Sequence, residues 1–244
     1  MFALSVEKFR EIVSKSQNIV FFGGAGTSTE SGIPDFRSEA GLYNTENGYS
    51  FPPETILSHT FFINNTDIFY KFYRSKMVFT DAKPNLAHKA LAELERRGKL
   101  KAVITQNIDG LHQTAGSKTV LELHGSIMRN FCTGCGKNFG LSYVMDSRSI
   151  IPKCDECGMT IKPDVVLYEE MLDMDVLARA TAFIANAEVL IVGGTSLVVQ
   201  PAASLVNYFK GKSLILINKS PTPYDNYASI VIDKSIGETL NSIL

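Results

Sequence analysis

Two Cys-x-x-Cys pairs, Cys132/Cys135 and Cys154/Cys157, stand eighteen residues apart, with Gly134, Gly136 and Gly158 allowing a tight knuckle at each. This spacing wraps four thiolates around one zinc ion in a tetrahedral shell. With every coordination position filled by sulfur, the metal would hold shape and activate no water. The bland alternative, buried or redox cysteines, leaves the paired spacing unaccounted for. A second group lies in "KAVITQNIDGLHQTAG" (101–116), where an apolar run stops and Gln106, Asn107, Asp109 and His112 follow. Amides and a carboxylate at the end of a strand are donors and acceptors set at a sheet edge. His124 ends the run "TVLEL" just before Gly125, at another such edge. That position favours His124 as a cleft residue, against the commoner reading of a lone histidine as structural. His59 and His88 read as packing or capping residues, and His112 as one that packs or caps on the helix it begins.

A third group is "VFFGGAGTSTESG", a buried strand running into Gly23, Gly24, Ala25 and Gly26 and then into a polar, helix-capable segment. Small residues let the backbone approach a pyrophosphate, and the following N–H groups favour an anion. The pattern Gly24-x-Gly26-x-x-Thr29 lacks the third glycine of the usual dinucleotide fingerprint. No ribose-binding acid is evident about 20 residues on, which disfavours an ordinary dehydrogenase. "SGIPDFRS" (31–38) puts Asp35, Phe36 and Arg37 on a Pro-containing loop able to close over a ligand. Its bland reading is a surface loop with an Asp35–Arg37 contact. "GGTSLVVQPAA" (193–203) and "INKSPTPYD" (217–225) repeat the strand-then-polar logic through Thr195, Ser196 and Asn218.

The elements that must present these tips alternate along the chain. Strands are expected at 18–22, 101–105, 119–123, 163–168, 188–193, 213–218 and 229–233, and helices near 5–16, 84–97, 173–187, 200–209 and 235–244. Near-continuous apolar strands imply burial on both faces, hence an open, doubly wound α/β parallel sheet. In such folds the ligand sits beyond the carboxyl ends of the strands, where the polar tips lie. Two stretches break the rhythm as insertions: 38–80, aromatic-rich loops with short helices, and 126–162, which holds the cysteines. A chain of 244 residues, net charge −1, lacks the concentrated basic face that nucleic acid requires. No apolar run approaches a membrane span, the start does not read as a signal peptide, and paired cysteines suit the cytoplasm.

Taken together, "GAGTSTESGIPDFRS", "TQNIDGLHQTAG", "LELHGS", the cysteine knuckles, "IKPDVVLYEE", "GTSLVVQPAA" and "INKSPTPYD" resemble the sirtuins, NAD-dependent protein lysine deacylases, most closely their compact bacterial members. The resemblance implies a Rossmann-like domain (1–37, 81–125 and 163–244) and a small domain made of a helical module (38–80) and a zinc module (126–162). It implies NAD as co-substrate, structural zinc, and an acetyl-lysine protein or peptide as partner. His124 matches the catalytic base and Asn107 a second catalytic position. Gln106, Asn107, Ile108 and Asp109 match the ribose and nicotinamide pocket. Ala25, Gly26 and Thr29 match the phosphate side; Asp35, Phe36 and Arg37 match the mobile loop. Thr195, Ser196, Asn218 and Ile236 match the adenosine side, and Val165 and Val166 the strand that holds the peptide. The implied products are free lysine, nicotinamide and 2′-O-acetyl-ADP-ribose; mono-ADP-ribosyl transfer on the same NAD site is the alternative. Two departures stand out: Glu169 replaces a more frequent glycine, and Arg74 falls one place after the Tyr-x-x-Arg spacing used for acidic acyl groups, which points to acetyl or another neutral acyl group.

Overall fold

A computed structural model describes residues 2–38, 41–43 and 48–244; the remaining part of the 38–80 insertion lies outside the described residues. The strands are β1 (Ile19–Gly23), β2 (Leu100–Thr105), β3 (Val120–Glu122), β4 (Gly125–Cys132), β5 (Asn138–Gly140), β6 (Ile161–Val165), β7 (Val189–Gly193), β8 (Ser213–Ile217) and β9 (Ile230–Ile232). The helices are α1 (Phe2–Lys15), α2 (Pro53–Ile56), α3 (His59–Asn64), α4 (Thr66–Phe72), α5 (Leu86–Arg96), α6 (Leu111–Ala115), α7 (Leu141–Met145), α8 (Met174–Asn186) and α9 (Ile236–Asn241).

Six strands form one parallel sheet in the order β3-β2-β1-β7-β8-β9. Alternation along β1 shows why both faces are covered. Ile19 and Phe21 face the cluster built with Phe9, Val13, Leu91, Leu94 and Leu240 of α1, α5 and α9. Val20 and Phe22 face the opposite cluster, with Ala180 and Ile184 of α8. Successive strand side chains point to opposite faces, so a strand apolar throughout must be sandwiched. Truncating Phe21 or Phe22 to alanine would cost roughly 3–5 kcal/mol. Helix boundaries follow local chemistry. Asn85 Oδ1 accepts from the amides of Ala87 (2.9 Å) and His88 (3.4 Å) to start α5. Gly98, at φ +73, ends the helix in the left-handed region that glycine tolerates. The stretch 200–209 forms a 3₁₀ helix over Ala202–Tyr208 rather than an α-helix.

One strand expectation is corrected. The "PDVVLY" run does not join the parallel sheet; β6 covers Ile161–Val165 and pairs antiparallel with β4 in a separate three-stranded sheet, β5-β4-β6. The cysteines explain the reversal. β4 delivers Cys132, and Cys154 and Cys157 lie on the returning segment, so a chain gathering all four sulfurs comes back along its own path, with Cys132 opposite Ile161. This sheet packs on the aromatic insertion. Phe61, Phe62, Phe69, Tyr70, Phe72 and Tyr73 are buried in one cluster with Ile127, Cys132, Cys154, Ile161, Val165 and Leu167, and the rings of Phe69 and Tyr73 stack at 5.7 Å. Among the described residues no helix is long and apolar enough to cross a membrane.

Candidate active site

The sheet order reverses direction between β1 and β7, and the crevice beyond such a switch point is where open α/β sheets hold ligands. There two glycine-rich loops meet. Gly24 N donates to Gly193 O (3.3 Å) and Gly26 N to Gly194 O (2.8 Å). A Cβ on Gly26 would stand 2.7 Å from Gly194 Cα, and one on Gly24 2.8 Å from Thr195 Cβ. Only glycine permits this approach, which leaves Ala25 and Gly26 partly open and Thr29 exposed at the crevice. The cradle fits a pyrophosphate: bare backbone, bounded by small side chains.

Beside it, the end of β2 supplies the amide–acid series. Gln106 Nε2 donates to Thr195 Oγ1 (3.0 Å), tying β2 to the loop after β7. Asn107 Nδ2 donates to Ser28 Oγ (3.0 Å), and Ser28 Oγ donates to Asp109 Oδ2 (2.6 Å). Asp109 Oδ1 accepts from Leu111 N (2.9 Å). The Ser28 hydroxyl thus fixes both neighbours: it accepts the Asn107 amide, which turns the Asn107 carbonyl oxygen away, and holds the Asp109 carboxylate. Ile108 and Phe36 both pack at the edge of the aromatic cluster. Asp35 Oδ1 accepts from the Arg37 and Ser38 amides (3.0 and 2.7 Å), so the acid shapes the loop backbone. The Arg37 guanidinium lies 5.4 Å from the Tyr43 ring.

His124 is set just past β3. Its Nδ1 lies 2.9 Å from the Gln106 carbonyl oxygen. A carbonyl only accepts, so Nδ1 carries the proton and Nε2 keeps its lone pair. Burial pushes the His124 pKa below the ordinary histidine value, against the opposing pull of that hydrogen bond. The imidazole is therefore neutral at pH 7 with a basic nitrogen, the state of a general base. The backbone carbonyl of His124 accepts from Val166 N (3.0 Å), tying the base to the residue that follows β6. Val165 is buried in the aromatic cluster and Val166 is half-buried. Two residues on, Tyr168 pairs with Ser58. Glu169 then adopts φ +76, the left-handed region where glycine is at home. Its carboxylate accepts from Thr60 N (2.9 Å) at the start of α3, which compensates the strained backbone.

At the far end, Asn218 Nδ2 donates to Thr195 O (3.1 Å), with Ser196 half-buried alongside. Ile236 is 5% exposed and packs its Cδ1 against Gly193. The expected residues from β1, β2, β7 and β8 therefore converge on one crevice, whereas Ile236 underlies its wall. Of the other histidines, His88 completes the α5 cap with Asn85, and His112 is buried against it, ring centroids 4.7 Å apart. His59 does neither: its Nδ1 pairs with Glu170 at 2.8 Å on a half-exposed edge. Arg74 donates to Ser149 O (3.0 Å), and Tyr70 donates to Ile161 O.

Ser28 and Asn85 are absent from the sequence expectations. Asn85 Nδ2 donates to Thr27 O (2.8 Å) and Ser31 Oγ (3.0 Å), bracing the glycine loop from behind. A hydroxyl inside "GTSTE" was the only available signal for Ser28, and nothing local indicated the reach of Asn85.

The four cysteine sulfurs all lie within 4.8 Å of one another. Cys132 and Cys157 stand 3.3 Å apart and Cys135 and Cys154 3.6 Å. A tetrahedron with metal–sulfur bonds of about 2.3 Å has sulfur–sulfur edges of about 3.8 Å, so the set fits zinc. The Gly134 amide donates to Cys132 Sγ (3.3 Å), the knuckle hydrogen bond that favours a thiolate.

A family profile described as "Sir2 family" matches residues 24–201. Among curated proteins, the chain is 62% identical over 239 residues to an NAD-dependent protein deacetylase of Clostridium acetobutylicum, covering 98% of each chain. It is 44% identical to one of Staphylococcus aureus (strain N315), covering 98% of each. Among solved structures, one described as "Sir2-p53 peptide-NAD+" superposes with a TM-score of 0.87 at 38% identity, covering 98% of this chain and 96% of the other. Another, "Sir2 bound to acetylated peptide", gives 0.87 at 37% identity with the same coverage.

Proposed function

Because the chain belongs to the Sir2 family, we propose that it is an NAD-dependent protein lysine deacetylase whose general base is His124. The observation that carries this is the neutral imidazole, Nδ1 held by the Gln106 carbonyl and Nε2 left basic, beside the Asn107–Ser28–Asp109 network at the sheet's switch point. NAD, when bound, supplies a ribose C1′ electrophile with nicotinamide as its leaving group.

The remaining roles belong to the chain. Ala25, Gly26 and Thr29 bind the phosphates, and Asp35, Phe36 and Arg37 form the loop that closes over them. Gln106, Asn107, Ile108 and Asp109 orient ribose and nicotinamide, with Ser28 locking the two polar side chains. Thr195, Ser196 and Asn218 line the adenosine end, backed by Ile236. His124 Nε2 accepts a ribose hydroxyl proton, a contribution of roughly 10²–10⁴-fold. An acetyl-lysine peptide adds as a strand along Val165 and Val166. Cys132, Cys135, Cys154 and Cys157 hold structural zinc. The Rossmann-like domain comprises 1–37, 81–125 and 166–244, and the small domain 38–80 and 126–165, so that β6 stays with its partner β4, with the cleft between them. Arg74 donates to Ser149 O (3.0 Å), an engagement that supports a neutral acyl group. The protein acts in the cytoplasm on acetyl-lysine proteins, without direct nucleic-acid or membrane binding.

Incubation with NAD and an acetyl-lysine peptide is expected to yield nicotinamide, free lysine and acetyl-ADP-ribose in equal amounts. Protein carrying ADP-ribose without deacetylated peptide would favour the transferase, and NADH a dehydrogenase. Faster turnover of succinyl-lysine than acetyl-lysine peptide would overturn the neutral-acyl assignment.

A further inference from the structure

Glu30 has no place in the roles assigned above. It lies on the exposed turn directly after Thr29 and reaches across to the start of α9. Its Oε1 accepts from Ser235 Oγ at 2.8 Å and from Gly237 N at 2.9 Å. The approach is so close that a Cβ on Gly237 would stand 2.3 Å from Glu30 Oε2. Between those two donors sits Ile236, buried, and a Cβ on Gly193 would meet its Cδ1 at 2.4 Å. Gly193 O in turn accepts from Gly24 N (3.3 Å). The contacts thus close a ring: phosphate loop, end of β7, Ile236, Gly237, Glu30, and back to the loop. The strand that leads into this segment borders the adenosine end, since Asn218 N donates to the carbonyl of Ile232 (3.1 Å), three residues before Ser235.

We propose that Glu30 is a positioning residue for NAD: by fastening residues 235–237 to the phosphate loop, its carboxylate sets the spacing between the loop and the adenosine wall. The inference rests on the NAD site proposed above. Two consequences follow from the geometry. The effect belongs to the nucleotide and not to the peptide, because the ring lies on the β1–β7–β8 side and away from β6. The requirement is for an acceptor oxygen, which glutamine also supplies and alanine does not.

The test compares the zinc-loaded parent with Glu30→Ala and Glu30→Gln. Calorimetry gives the Kd for ADP-ribose, and steady-state kinetics give kcat and the two KM values. Loss of two hydrogen bonds to a carboxylate is expected to weaken ADP-ribose and raise the KM for NAD about 5- to 30-fold in Glu30→Ala, with peptide KM and kcat within about twofold. Glu30→Gln is expected to recover to within about threefold of the parent. Parental nucleotide affinity in Glu30→Ala overturns the proposal. So does a parallel loss of kcat and peptide affinity, which marks a merely structural role, or failure of glutamine to rescue. A parent that binds ADP-ribose while Glu30→Ala is unaffected refutes this inference alone; a parent binding neither NAD nor ADP-ribose removes the proposed site and this inference with it.

Discussion

His112 offers a sharp electrostatic test of the folded interior. It is 1% exposed, and among the described residues neither ring nitrogen has a hydrogen-bond partner. Burial, and then the neighbouring His88, push its pKa down to about 3. Burial likewise takes His88 down to about 4, against the pull of Asp109 and Glu30. Both pKa values are depressed on folding, so the unfolded chain binds more protons and native stability is lost as pH falls below the unfolded histidine value. One such group withdraws at most about 1.4 kcal/mol per pH unit. Between about pH 6.5 and 5.0, His112 alone therefore costs the native state about 2 kcal/mol. The assay is urea unfolding of the zinc-loaded parent and of His112→Leu at both pH values. Carboxylate protonation and metal loss act on both proteins and cancel in the difference. On acidification the variant is expected to gain about 2 kcal/mol relative to the parent. Parallel pH dependence in the two proteins would refute the reasoning, because it would mean that His112 takes up its proton without unfolding.

Three further outcomes are expected. Cys154→Ser removes one of four thiolates, so metal analysis should find substoichiometric zinc and thermal unfolding should begin earlier; full zinc with an unchanged Tm would rule out the site. Glu169→Ala keeps the left-handed backbone and loses the Thr60 bond, whereas Glu169→Gly relieves about 1 kcal/mol of strain, so glycine should be the more stable replacement in chemical denaturation; alanine as the better one would contradict this. Ser28→Ala strands the Asn107 amide and one Asp109 oxygen, a cost of about 1–3 kcal/mol that should raise the KM for NAD about 5- to 100-fold with peptide KM unchanged, a separation that kinetics read directly.

Legibility in the sequence followed the reach of each signal. The parallel sheet was legible because β1, β2, β7 and β8 are apolar along nearly their whole length, a pattern that calls for cover on both faces. The zinc set was legible because ligand spacing is a local property. The polar strand tips were legible individually, since each breaks an apolar run. Their partners were not: Ser28 bridges Asn107 and Asp109 across 79 and 81 residues, and no local pattern records a contact at that range. The placement of β6 failed for a related reason. Its apolar run resembles a buried parallel strand, but the path of the chain through the cysteines decides its partner. Glu169 was visible only as a departure; its positive φ and its bond to Thr60 explain how a carboxylate is tolerated there.

The central claim is that the imidazole of His124, neutral and basic at Nε2, drives NAD-dependent deacetylation. The direct measurement is single-turnover product formation from NAD and an acetyl-lysine peptide by the parent and by His124→Ala, with zinc content and Tm matched. The parent is expected to release deacetylated peptide and acetyl-ADP-ribose, and the variant to do so about 10²- to 10⁴-fold more slowly while still binding NAD. A His124→Ala protein that turns over at the parental rate would contradict the account.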